Sequence, residues 1–157
     1  MTVSRPTVVV GYDTSEPAAC ALELAADEAV RRHAVLHVVH ALGVRPYAEL
    51  FPEGAIPVDT LPWRESGQKL LDEVAERLRT TRPSLEVSTS VRMSSPTVLL
   101  LDESRKADLL VVGARGEGGF AGLTIGSVGA QVASHAVCPV LVVRSSAQPD
   151  GPVVVGV

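Results

Sequence analysis

The sequence predicts an α/β fold, a mostly parallel five-stranded sheet with helices on both faces, and three observations lead to it. Short valine-rich runs alternate with stretches of helical periodicity along the whole 157-residue chain. Those runs (TVVVGYD, DLLVVG, PVLVVR) are valine-rich and continuous rather than alternating, as strands buried on both faces are. Hydrophobic residues make up 46% of the chain and aromatic residues only 3%, so the core must be aliphatic, which suits valine strands packed under alanine- and leucine-rich helices.

Taken in order, Thr7 to Asp13 reads as a buried strand ending in Gly and Asp. In the following TSEPAACALELAADEAVRRH, Ala18, Leu22, Ala25 and Ala29 share one helical face. Ser15 is placed to cap that helix, Glu16 and Pro17 suit its first turn, and Arg31 and Arg32 suit its last. Ala34 to Leu42 is a second strand, which completes a right-handed crossover unit. Gly43 to Pro62 holds four prolines and no sustained period, and a connection of this kind inside a compact domain often covers a ligand. The next helix, from Trp63, places Trp63, Leu70, Val74 and Leu78 near one face, with Gly67 a weak point. Leu85 to Met93 alternates apolar and polar, as a strand at or near an edge does. Pro96 to Ala107 is a short helix, Asp108 to Gly113 a fourth strand, Ser127 to Ala136 a fourth helix and Pro139 to Arg144 a fifth strand.

Composition narrows the function classes. The net charge is −4 and no basic run offers a surface to polyanions, so nucleic acid is not an expected partner. Nothing approaches a membrane span, and the opening MTVSRPTVVVGYD lacks the layout of a signal peptide; the expected location is cytoplasmic. Cys20 and Cys138 stand far apart and fit neither a CxxC pair nor metal-ligand spacing, so both are expected to be buried free thiols. No metal site is expected. The four histidines, His33, His37, His40 and His135, read as strand or helix-end residues rather than catalytic bases.

In open parallel sheets ligands bind beyond the carboxyl ends of the strands, where the winding reverses. Asp13 and Gly113 both end predicted strands, so their loops are candidates for one site. From Gly113 the spacing runs Gly, two residues, Gly116, nine residues, Gly126 and Ser127. Gly116 permits a tight turn, Gly126 a close approach of backbone to a phosphate, and the N–H groups of the next helix with the Ser127 hydroxyl can donate to phosphate oxygens. No GK[ST] follows, so this is not a Walker A loop. The same glycines also suit a plain strand-to-helix connection. Asp13 suits either a ribose contact or a turn that caps the first helix, and Arg115 either a phosphate contact or a solvated loop position.

VVVGYDTSEPA, LHVV in the second strand, the spacing GxxGx9GS and the closing CPVLVVR together resemble the ATP-binding branch of the universal stress protein family, over Thr7 to Arg144. The resemblance implies strand order 3-2-1-4-5, a Rossmann-like or flavodoxin-like arrangement, with ATP at the switch between the first and fourth strands and a homodimer joined along the last. It assigns Asp13 to the ribose and the Val38 backbone to the adenine edge. Gly113, Arg115, Gly116, Gly126, Ser127 and Val128 are placed around ribose and phosphates. Gly11 departs from the proline or alanine common at that position and removes bulk beside the nucleotide. The expected function is ATP binding by a regulatory module, with Mg²⁺ as a companion of the phosphates and at most slow hydrolysis. The alternative is a nucleotide-free dimerisation module of the same fold. An enzyme of the wider adenine-nucleotide hydrolase group is disfavoured by the absence of an SGGxDS loop.

The segment SSAQPDGPVVVGV follows a domain already complete at residue 144. Val153 to Gly156 repeats Val8 to Gly11, so residues 145–152 read as a linker and 153–157 as the first strand of a truncated second copy, in a tandem arrangement, or as a fortuitous valine-rich tail.

Overall fold

The computed structural model describes residues 5–43, 61–115 and 125–144. Its sheet has five strands, β1 (Thr7–Gly11), β2 (Val35–Leu42), β3 (Glu86–Met93), β4 (Leu109–Gly113) and β5 (Val140–Val143), in the order β3-β2-β1-β4-β5. Every pairing is parallel. The four helices among the described residues are α1 (Glu16–Arg31), α2 (Leu61–Thr81), α3 (Pro96–Glu103) and α4 (Ser127–His135). The expected fold class and strand order are thus observed, with β3 at an edge as its alternation foretold. Gly116, most of the 43–62 connection and the 145–157 segment lie outside the described residues.

Strand alternation divides the core between two faces. Val8 and Val10 of β1, Leu36 and Val38 of β2 and Val111 of β4 face α1 and α2. Val9, Val39, Leu110 and Val112 point the other way, toward Leu99 and Leu100 of α3 and Val132 of α4. Ala18, Leu22, Ala25 and Ala29 are all buried, as their spacing requires. Small alanines on this face let α1 lie close over β1 and β4.

Ser15 caps α1, its Oγ accepting from the Ala18 N–H at 3.3 Å. At the other end, Glu28 pairs with Arg31 and Arg32. The Arg82 guanidinium bonds Glu23 at 2.9 Å and Asp27 at 2.8 Å, tying the end of α2 to α1. Both cysteines are free and half-buried, and burial pushes the Cys138 thiol up from its ordinary range. No described helix is long and apolar enough to cross a membrane.

The buried face of α2 is offset from the expected one. Leu71, Val74, Ala75 and Leu78 are buried, Leu70 is half-buried and Trp63 is exposed. Gly67, expected to be a weak point, is buried where α2 crosses the sheet. A Cβ there would lie 3.1 Å from Val91 Cγ1 and 3.3 Å from Leu42 Cδ2. That close crossing at Gly67 rotates the stripe onto Leu71. We predict that Leu71→Ala costs about 2–5 kcal/mol, the range for a fully buried leucine, while Leu70→Ala costs markedly less. Urea denaturation of the two variants checks the offset.

Candidate functional site

The winding reverses between β1 and β4, so the carboxyl ends of these strands open onto the cleft that doubly wound sheets use for ligands. β1 pairs with β2 as far as Gly11 opposite Val39. One further link follows, the Tyr12 N–H donating to the Val39 carbonyl at 3.0 Å, and the chain then turns through Asp13 and Thr14 into α1. Thr14 holds φ at 70°. The half-buried Asp13 carboxylate is fixed by its neighbour: Oδ1 accepts from the Ser15 N–H at 3.1 Å and the Ser15 Oγ–H at 2.5 Å. The turn-and-cap role left open for Asp13 is therefore realised, and it locks the carboxylate at the mouth of the cleft.

Gly113 joins this turn to the other strand. A Cβ at position 113 would lie 2.8 Å from the Pro17 carbonyl carbon and 2.9 Å from the Ala18 nitrogen. The first turn of α1, which carries the Asp13–Ser15 cap at its mouth, thus sits directly on the end of β4. From there the buried Ala114 reaches both ways, its N–H donating to Val143 O at 2.7 Å and its carbonyl accepting from the Gly126 N–H at 2.6 Å. Gly126 is the N-cap of α4, with φ −72° and ψ 166° and no side-chain cap bond. Among the described residues a Cβ there would meet nothing closer than the Ala114 oxygen at 3.4 Å.

The two glycines therefore differ in kind. Packing demands Gly113. Neither packing against the described residues nor backbone angle demands Gly126. At a helix N-cap Ser, Asp or Asn stabilises better than Gly, yet this helix begins on a residue that leaves its first-turn N–H donors uncapped by its own side chain. A helix of this kind offers oriented donors and a positive dipole end to an anion.

Asp13, Gly113, Arg115, Gly126, Ser127 and Val128 belong to this one edge. Ser127 and Arg115 are exposed, and the half-buried Val128 side chain packs on the α3–α4 core, so only its backbone faces outward duties. Val38, assigned through its backbone, lies in mid-strand between Val10 and Thr89 with its side chain fully buried. One expectation needs correction. Gly11 does not clear space for a nucleotide: a Cβ there would lie 3.0 Å from Leu100 Cδ2, so the room it leaves is filled by α3.

Sequence reasoning also passed over His40, whose Nδ1 lies 2.7 Å from the Tyr12 carbonyl. His37 faces the opposite side of the sheet, with Nδ1 2.8 Å from Ser88 Oγ and Nε2 3.2 Å from Ser90 Oγ. Burial lowers its pKa, with Glu103 opposing and Lys106 adding to the shift. Among the described residues no cluster of His, Cys, Asp and Glu could hold a metal ion.

The fold defines a doubly wound α/β protein whose winding reverses between β1 and β4. More narrowly, the chain belongs to the universal stress protein family, whose sequence profile matches residues 5–144. It is 36% identical to a universal stress protein of Mycolicibacterium smegmatis, over 90% of this chain and 46% of that protein. It is 35% identical to universal stress protein Rv2623 of Mycobacterium tuberculosis, over 88% of this chain and 45% of the relative. The chain thus spans about half the length of the curated relatives it matches. Among solved structures, a universal stress protein in complex with cAMP is 27% identical, covering 90% of this chain and 98% of that one with a TM-score of 0.64. UspA from Lactobacillus plantarum, 24% identical over 91% of this chain and all of its own, shares the fold with a TM-score of 0.64.

Proposed function

We propose that the chain is an ATP-binding regulatory module. The observation that carries this is Gly126: a helix start that its described neighbours do not require to be glycine, without a capping side chain, beside the strand switch point. The N–H groups of Ser127 and Val128 and the Ser127 hydroxyl serve the phosphates, with Arg115 adding charge and Gly116 the turn. The Asp13 carboxylate, at the end of β1, accepts from ribose hydroxyls, as an ionised carboxylate is an acceptor only. The adenine edge meets the backbone of Val38. Mg²⁺ travels with the phosphates, keeping most of its waters, as it does without an all-protein cage. The complex of the 27% identical relative with cAMP supports an adenine nucleotide as the ligand class.

The module binds more than it turns over. Phosphoryl transfer needs an oriented water and groups that offset charge on the transferring phosphate, and the loop carries no lysine for that purpose. Its output is a shift in conformation or assembly, which nucleotide drives by favouring one state. The half-exposed edge strand β5 is the surface along which a second copy or a tandem domain joins, in a cytoplasmic protein.

Freshly purified protein, denatured and analysed by chromatography, is expected to release ATP, and a Gly116→Val, Ser127→Ala double variant to release little. If neither sample releases nucleotide and added ATP gives no thermal shift, the nucleotide-free dimerisation module takes its place.

A further inference from the structure

We infer that His40 is a positioning residue for the nucleoside half of the ligand, an inference that rests on the nucleotide site proposed above. Tyr12 is the last residue before Asp13, and both of its backbone groups are held by β2. Its N–H donates to Val39 O at 3.0 Å, and its carbonyl lies 2.7 Å from His40 Nδ1. A carbonyl only accepts, so Nδ1 carries the hydrogen.

A parallel ladder continued past Gly11 would hand that carbonyl to the N–H of Ala41. The imidazole takes the acceptor instead. Side-chain capture of this carbonyl ends the β1–β2 ladder at a defined point and sets where the chain leaves the sheet. The Asp13 turn begins at that point, and Ala41 lies beside it.

The ring is itself held in place. α2 crosses over it at Gly67, where a Cβ would come within 3.4 Å of His40 Cδ2, and His40 is half-buried on that face. One side chain thus connects α2, the end of β2 and the turn carrying Asp13. The phosphate half of the site is built separately, on Gly113, Ala114 and the start of α4. Loss of the His40 donor should therefore loosen the ribose and adenine contacts and spare those to phosphate.

Three variants of the full chain test this, with ATP and inorganic tripolyphosphate as probes in calorimetric titrations. Asn places an amide N–H where His has Nδ1, Gln reaches instead toward the Nε2 position, and Leu keeps the branching at Cγ but donates nothing. We expect His40→Leu and His40→Gln to weaken ATP at least tenfold and His40→Asn to stay within about threefold of the parent, about 1.4 kcal/mol corresponding to each factor of ten. Tripolyphosphate affinity is expected to be the same for all four proteins. Equal ATP affinity in the Leu and Asn variants overturns the role, and so does a parallel loss of ATP and tripolyphosphate, which would mark a merely structural histidine. Should the Leu variant fail to fold, the contrast between Asn and Gln decides. If the parent protein binds no ATP, the nucleotide site falls and this role falls with it. A ¹H–¹⁵N spectrum showing the His40 proton on Nδ1 then separates that failure from an error in the contact itself.

Discussion

Gly126→Asp is expected to abolish ATP binding while leaving the fold as stable as before, or more so. An Asp at the N-cap of α4 would accept from the N–H of Val128 or Gly129, a gain over Gly of a few tenths of a kcal/mol. Its charge at the positive end of the helix adds about 0.3–1 kcal/mol. The backbone there is extended and the nearest described neighbour of a new Cβ is 3.4 Å away, so little strain offsets these gains. For ATP the same change is severe. The carboxylate occupies the donors meant for phosphate and sets like charges about 4 Å apart, which costs roughly 4 kcal/mol at an effective dielectric of 20. Since 1.4 kcal/mol is a factor of ten, affinity should fall by about three decades. Thermal unfolding with and without ATP separates the two effects. Unchanged ATP affinity in this variant would remove α4 from the phosphate site, whereas a large loss of stability without ligand would mean that Gly126 is structural after all.

That prediction could not have come from the sequence, where Gly113 and Gly126 look alike. The fold was legible because it rests on patterns that local chemistry enforces. Ser15 with Pro17 starts α1, the Ala18–Leu22–Ala25–Ala29 stripe must be buried, and continuous valine runs suit strands covered on both faces. The neighbouring placement of the Asp13 and Gly113 loops was legible too, since both end strands that a parallel α/β order sets side by side at the switch point. What stayed hidden depended on three-dimensional approach. Leu71 replaces Leu70 in the α2 stripe because α2 approaches the sheet at Gly67, whereas Trp63, which looked like an anchor, is exposed. Gly11 faces Leu100 because alternation along β1 points residue 11 toward α3. His40 gave no motif; only the 2.7 Å contact with Tyr12 O reveals it.

Gly113→Ala should do the reverse of Gly126→Asp and damage the fold first. Replacing a glycine by alanine where the backbone allows it stabilises by about 0.4–1 kcal/mol through the unfolded chain. Here the added methyl meets main chain, the Pro17 carbonyl carbon at 2.8 Å and the Ala18 nitrogen at 2.9 Å, and neither can swing aside as a flexible side chain could. Overpacking of this kind costs about 1–3 kcal/mol, so the overlap outweighs the entropic gain and leaves a net loss of about 1–2 kcal/mol. For a domain of this size that lowers Tm by roughly 2–8 °C. The strain relaxes most readily by pushing α1's first turn outward, and Ser15 moves with it. Because Ser15 N–H and Oγ–H hold Asp13, the ribose contact weakens as the helix shifts, and ATP affinity drops together with stability. Gly126→Ala is the matched control, since its methyl finds ordinary contact distance. Equal urea midpoints for Gly113→Ala and the parent protein would show that α1 does not rest on the end of β4 as tightly as the 2.8 Å approach requires.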